Sequence, residues 1–244
     1  LYQVLGTKYL KSNSLFSVSL DLTERCNSRC TICELWKKEA PYTLSLDVFE
    51  NQIKNSGVLQ KVSLFNIGGG EPFVLKNLYD YVAAIDKYGS AMEVRIVTNG
   101  FQTKRITEVI KRIMKETKLT VGIKISLDGG EETHQKIRGI KKAYDLVMKT
   151  SKALSELKKS YPSRLKINFG FTVTDENTDE LDSVFKTANE LDLGFFYKPI
   201  LAPAKFEKSE VLENESLSIE SVNKIKRFSL EYEKKVKFNF LDRK

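Results

Sequence analysis

Cysteine is scarce in this chain and, outside one stretch, absent: all three cysteines fall in the octet CNSRCTIC, residues 26–33. With no partners elsewhere they cannot build a disulfide framework, so a reducing, cytoplasmic compartment is expected. Histidine occurs once, as His134. With 5 prolines and 13 glycines, the composition is neither collagen-like nor low-complexity. No run approaches the roughly 18 apolar residues that a membrane helix needs. The opening stretch LYQVLGTKYLKSNSLF lacks the long apolar centre and small-residue cleavage site of a signal peptide. It also lacks an initiator methionine, as a piece of a longer protein does.

What is present suffices for one sizeable core: 244 residues, 41% hydrophobic. The net charge is +8. The lysines sit mostly on polar helix faces, as in TKRITEVIKRIMKETK, and no dense basic run alternates with aromatics. A solvated surface is therefore expected in place of a nucleic-acid footprint.

Strand and helix patterns alternate along the chain. Period-2 and apolar stretches predict strands at 16–22, 61–67, 93–99, 120–128, 165–173 and 194–200. Helices are predicted between them: one led by Ser45 as N-cap, one closed by Gly89, one bearing Ile106, Val109, Ile110, Ile113 and Met114, and one at about 142–159. The 142–159 helix turns Leu146, Val147, Thr150, Leu154 and Leu157 inward. Further helices cover TDELDSVFKTANEL and about 218–234. Six such units with short connections imply an α/β fold with parallel strands and right-handed crossovers. Polar residues such as Ser63, Asn66, Lys124 and Ser126 recur in the strands. They suit a site at the strand C-termini, in either a barrel or an open doubly wound sheet.

Motifs gather at those strand ends. After the first strand come Cys26, Cys30 and Cys33, spaced C-x3-C-x2-C. Structural zinc wants four ligands, and here the fourth would have to be His134, about a hundred residues on. An iron–sulfur cluster is the other option: three thiolates hold three irons and leave one iron open to chemistry. After the second strand comes NIGGGEPF. Its glycines permit close backbone approach, and Glu71 offers a carboxylate to a positive group such as an ammonium. An ordinary turn or a phosphate cradle is the alternative, but the P-loop Lys-Ser/Thr and the G-x-G-x-x-G spacing are missing. TNG, residues 98–100, is a weak turn signal by itself. After the fourth strand, ISLDGGEETHQKIRG carries Ser126, Asp128 and Arg138. A guanidinium there suits a carboxylate ligand; the plainer alternative is a surface ion pair with Glu131 or Glu132.

Together these residues resemble the radical S-adenosylmethionine (SAM) enzymes, over about residues 16–203. The cysteine loop, G-G-E-P, T-N-G and S-L-D-G occur in that family's order. The resemblance implies a partial (β/α)6 TIM-like barrel with parallel strands, a lead-in over 1–15, a core over 16–203 and a C-terminal helical tail over 204–244. It implies that Cys26, Cys30 and Cys33 ligate a [4Fe–4S] cluster whose fourth iron takes the amino and carboxylate groups of SAM. Gly69, Gly70 and Glu71 would bind the methionine ammonium. Ser126 and Arg138 would meet the carboxylate or ribose, with Asp128 counted among the cofactor-binding residues. The stretch from Lys198 to Leu201 would lie near the adenine. Ile32 departs from the aromatic residue common before the third cysteine, and Trp36 is expected to pack. The family also implies an electron donor such as flavodoxin or ferredoxin, which the basic surface suits, and a peptide, sugar or small-metabolite substrate. Its S-L-D-G and H-x3-R pattern looks most like the molybdopterin-precursor synthase and peptide-maturase branch. The auxiliary-cluster cysteines frequent there are missing from this chain.

Overall fold

A computed structural model describes residues 16–200 and 217–241. Six strands form one sheet: β1 (Ser17–Thr23), β2 (Leu64–Gly69), β3 (Glu93–Thr98), β4 (Thr120–Ser126), β5 (Leu165–Val173) and β6 (Gly194–Pro199). Every pairing is parallel and the order is sequential, β1 to β6. That order settles the question left by periodicity. A doubly wound sheet reverses its strand order at a switch point. Here each right-handed crossover adds its strand on the same side, which puts all helices on one face and curls the sheet into a barrel wall.

The helices are α1 (Leu46–Asn55), α2 (Leu78–Tyr88), α3 (Thr103–Glu116), α4 (Glu131–Arg138), α5 (Ala143–Lys159), α6 (Leu181–Glu190) and α7 (Ile219–Leu241). The core lies between them and the outer face of the sheet. Leu22, Phe65, Ile67, Val94, Ile96, Val121, Ile123, Ile125, Ile167 and Phe169 meet Ile53, Ile85, Ile110, Val147 and Val184 there. Alternate strand residues therefore face the lumen. Most are polar or small, among them Asn66, Arg95, Gly122, Lys124, Ser126, Asn168, Gly170, Thr172 and Lys198, with Val97 and Phe196 as apolar exceptions.

Several local expectations shift. Residues 59–61 form a single 3-10 turn, so β2 starts later and runs into its glycines. Ser45 holds the N-cap position of α1, but its side chain makes no capping bond; its carbonyl accepts from the Phe49 N–H at 3.0 Å. On α5 the buried residues are Ala143, Val147, Thr150, Ser151 and Leu154, while Leu146 is only partly buried. Helix α4 is new. Glycines flank it, acids fill its first turn and bases its last, the arrangement that a helix macrodipole favours.

The helix expected in the tail is the outer cover of the sixth strand. Phe228 and Tyr232 of α7 stack on each other and meet Phe185, Phe195 and Tyr197 edge to face at 5.1–6.3 Å between ring centres. The lead-in over 1–15 and the start of the tail lie outside the described residues.

Candidate functional site

The C-terminal ends of the strands surround a cavity of about 320 Å3, at the small end of the roughly 300–1,000 Å3 typical of ligand clefts. Cys26, Cys30 and Cys33 line it together with Gly69, Gly70, Glu71, Ser126 and Arg138. Residues that sequence reasoning placed at three separate strand ends thus share one site. Ile32, Trp36, Lys198 and Ile200 line it as well. Leu201 lies outside the described residues.

The cysteine loop is fastened by its backbone. The N–H groups of Arg29 and Thr31 donate to the carbonyls of Arg138 and Ile137 at 3.0 and 2.8 Å. The Ser28 hydroxyl also donates to the Arg138 carbonyl, at 3.0 Å. The C-terminal carbonyls of α4, which no helical N–H can reach, are thereby satisfied by the loop. Trp36 lines the cavity and its indole N–H donates to the Cys30 carbonyl at 3.0 Å. Burial pushes the Cys26 and Cys33 thiols above the usual cysteine range.

The glycine loop approaches closely, but what it approaches is protein. A Cβ on Gly69, whose φ is +101°, would stand 2.4 Å from the Thr23 carbonyl oxygen; one on Gly70 would stand 2.2 Å from that of Arg25. The Gly70 and Glu71 N–H groups donate to those same two oxygens at 2.6 and 2.8 Å. The glycines thus let β2 lie against the root of the cysteine loop, and the ligand side stays clear.

Glu71 is buried, and three donors face its carboxylate. Oε1 accepts from the Phe73 N–H at 3.1 Å and the Thr98 hydroxyl at 2.8 Å; Oε2 accepts from the Asn99 N–H at 2.7 Å. Burial outweighs these bonds and pushes its pKa up to about 7. TNG therefore has a role that its weak sequence signal did not show: Thr98 and Asn99 hold Glu71. The Asn99 amide also donates to Asn27 Oδ1 at 2.6 Å, tying the third strand end to the cysteine loop.

Arg138 pairs with Asp128, not with Glu131 or Glu132. The Asp128 side chain is fully buried and that of Arg138 is 11% exposed. Asp128 Oδ1 accepts from the Thr172 N–H at 2.9 Å. Asp128 is not among the lining residues; it stands behind Arg138 and orients it. Burial works against the guanidinium charge, but Asp128 and Cys30 outweigh it and hold Arg138 protonated. One arm of Arg138 reaches Cys30 Sγ at 3.6 Å, and its Nε is buried without a partner.

Nothing at the site supports the zinc alternative. Among the described residues, no three His, Cys, Asp or Glu side chains stand close enough together for a single metal ion. His134 does not line the cavity. Its Nδ1 accepts from the Asp128 N–H at 3.1 Å, and burial, with Arg138 nearby, drops its pKa to about 2.

A parallel, sequentially wound α/β partial barrel with three thiols and a paired arginine at its strand ends defines a class of cofactor-dependent enzyme. The family model of the radical SAM superfamily matches residues 20–188, more than half of the chain, and the chain belongs to that superfamily. It is 29% identical over 205 residues to an Fe-coproporphyrin III synthase of Methanosarcina barkeri, covering 82% of this chain and 47% of the relative. It is 24% identical over 217 residues to a GTP 3',8-cyclase of Alkaliphilus oremlandii, covering 86% and 65%. The chain thus spans about half to two-thirds of the length of these curated relatives. Among solved structures, anSMEcpe with bound AdoMet superimposes with a TM-score of 0.68 at 22% identity, covering 92% of this chain and 62% of that one. SuiB of Streptococcus suis bound to precursor peptide SuiA gives 0.69 at 15% identity, covering 97% and 50%. Both share the partial-barrel fold.

The superfamily's cofactors are a [4Fe–4S] cluster and SAM, and its members are enzymes. The residues present fit that pair. Three thiols on the wall of one cavity suit a body with several irons. The unpartnered Nε of Arg138 is a buried donor at the cavity wall.

Proposed function

We propose that this chain is the catalytic core of a radical SAM enzyme, with Cys26, Cys30 and Cys33 as the cluster ligands. The observation that carries the reading is the convergence of those thiols, the Glu71 loop and Arg138 on one cavity. Gly69 and Gly70 face the methionine ammonium through backbone, with the buried carboxylate of Glu71 behind them. Ser126 and Arg138 receive the carboxylate or ribose. Asp128 acts through Arg138: it fixes the guanidinium and keeps it charged. Arg138 also places positive charge 3.6 Å from the Cys30 sulfur. Lys198 and Ile200 border the adenine side. When bound, the pair supplies reductive cleavage of the sulfonium and, from it, removal of a hydrogen atom from an unactivated C–H bond. The protein's part is to bind, orient and exclude water.

The substrate is a peptide, sugar or small metabolite. Similarity to the sporulation killing factor maturation protein SkfB of Bacillus subtilis, 24% over 177 residues, supports the peptide class. An acidic flavodoxin or ferredoxin is the electron donor, on the strength of the +8 charge. A reduction rate that ignored ionic strength would remove that donor.

The deciding experiment is anaerobic reconstitution with iron and sulfide, reduction, and addition of SAM. The wild-type chain is expected to turn brown and release 5′-deoxyadenosine. Cys30→Ala is expected to abolish both. Cleavage retained in that variant, or a colourless protein binding stoichiometric zinc, would end the reading.

A further inference from the structure

Among the described residues, two cations on the β4–β6 side of the cavity have no counter-charge. Lys124 projects from β4, two residues before Ser126 and on the same strand face, so its root lies about 7 Å deeper in the lumen. Its stem is laid across Gly170 of β5: a Cβ there would stand 2.8 Å from Lys124 Cγ and 2.9 Å from Cδ. Its ammonium reaches to 5.2 Å from the ring centre of Phe196 on β6. Lys198 lines the same cavity from β6. Among the described residues, neither lysine has an acidic partner.

Among the described residues the acids nearest these lysines are already committed, and Asp21 stands across the sheet on the edge strand β1. Glu71 is the one acid among the lining residues, and both its oxygens accept from the protein. Asp128 holds Arg138. Glu93, on the lumen row of β3, pairs with Arg95 at 2.7 Å and faces Lys166 at 3.9 Å. Burial, then Lys198 and Arg95, hold the Lys124 amine below the usual lysine range, the sign of a charge placed where it is disfavoured. The Phe196 ring offsets only part of this, because a cation–π contact attracts the ammonium but neutralises nothing. Phe196 itself is 50% exposed at the cavity wall.

We propose that Lys124 and Lys198, with Gly170 as the bed for the first and Phe196 as an apolar wall, form a subsite for an anionic group of the substrate, a carboxylate or a phosphate. The proposal rests on the radical SAM reading for what fills the cavity above it. It narrows the substrate to one that carries an anion beside an apolar surface. Gly170 is a positioning residue: it touches no ligand and sets where the Lys124 ammonium lies.

The test is calorimetric titration of the reconstituted, SAM-saturated chain at constant ionic strength, with inorganic pyrophosphate in one arm and citrate in the other. One of the two is expected to bind at one equivalent, and which one it is assigns phosphate or carboxylate. Lys124→Gln and Lys198→Gln are expected to weaken that binding about tenfold each, as loss of a charged hydrogen-bond partner does. Cluster absorbance should stay at the wild-type value in both variants, and SAM affinity should stay there in Lys124→Gln. Lys124→Arg should retain binding. Gly170→Ala, which keeps both charges and displaces the stem, should weaken it. The proposal is overturned if neither anion binds or if the Gln variants bind as wild type does. It is overturned equally if Lys124→Gln weakens SAM itself by the same factor, which would give the lysine to the cofactor's own carboxylate. The unreconstituted chain separates the two failures. Anion binding there, in a protein that takes up neither cluster nor SAM, retires the radical reading and keeps the subsite.

Discussion

The two sides of the cavity are built on opposite terms. On the β1–β3 side the polar groups at the strand ends are bonded within the protein: Glu71 takes three donors, Asn99 grips Asn27, and the glycine loop is stitched to the backbone at Thr23 and Arg25. On the β4–β6 side Lys124 and Lys198 repel each other and Phe196 is half exposed. Arg138 reaches the cavity from the end of α4, with Asp128 of the loop after β4 behind it. A wall whose bonds are closed upon itself can hold one ligand in one pose. A wall with open valences is completed by what it binds. On the proposed reading the cofactor rests on the first side together with Ser126 and Arg138, and Lys124 and Phe196 of the second side are left to the substrate.

Substitutions can break this contrast. The largest effect on stability is expected from Asp128→Ala, which leaves the Arg138 guanidinium nearly buried and unpaired. The loss should be about 3–5 kcal/mol by chemical denaturation. A cost under about 1 kcal/mol would mean that solvent serves Arg138 as well as Asp128 does. Gly70→Ala comes next, at about 3 kcal/mol, because its Cβ meets backbone that cannot step aside. Wild-type stability in that variant would show that the two loops are not in contact.

Glu71→Gln should cost about 1–3 kcal/mol, since an amide NH2 cannot accept from the Asn99 N–H. Its pH dependence is more telling. Glu71 titrates near 7 when folded and at an ordinary 4.5 when unfolded, so the folded chain binds the extra proton and stability falls as pH rises between those values. His134 does the reverse. It stays neutral down to about 2 while the unfolded imidazole protonates near 6.5, so stability falls as pH drops below 6.5. Between about 4.5 and 6.5 the two slopes oppose each other. Removing Glu71 should leave the His134 slope bare, with the cofactor-free variant gaining stability as pH rises to 6.5. A profile parallel to wild type would refute this. Smallest of all is Lys198→Gln, expected to change stability by no more than about 0.5 kcal/mol. A loss as large as that of Asp128→Ala would erase the difference between the two sides.

Much of this was legible along the chain because strand–helix alternation and motif spacing are local signals. The six strands and the gathering of Cys26, Glu71, Ser126 and Arg138 at one sheet end followed from them. Pairings that fold back across the chain were not legible. Thr98 and Asn99 looked like a bare turn because their partner lies more than 25 residues upstream. Arg138 had acids at nearer spacing in Glu131 and Glu132, and only the docking of α4 under the cysteine loop turns it to Asp128. The glycines announced a close approach without saying to what. Helix α4 itself went unseen, being short and of low apolar content; its flanking glycines and end charges were the available signal.

The seam between the cysteine loop and the end of α4 bears on how the holoprotein is made. The bonds from Arg29, Thr31 and Ser28 to Arg138 and Ile137 need no iron. If the loop keeps them without a cluster, iron delivery meets a finished receptacle, and iron lost to oxidation can be replaced without refolding. Amide exchange at Arg29 and Thr31 should accordingly be equally slow with and without the cluster, with repair after exposure to air the practical result.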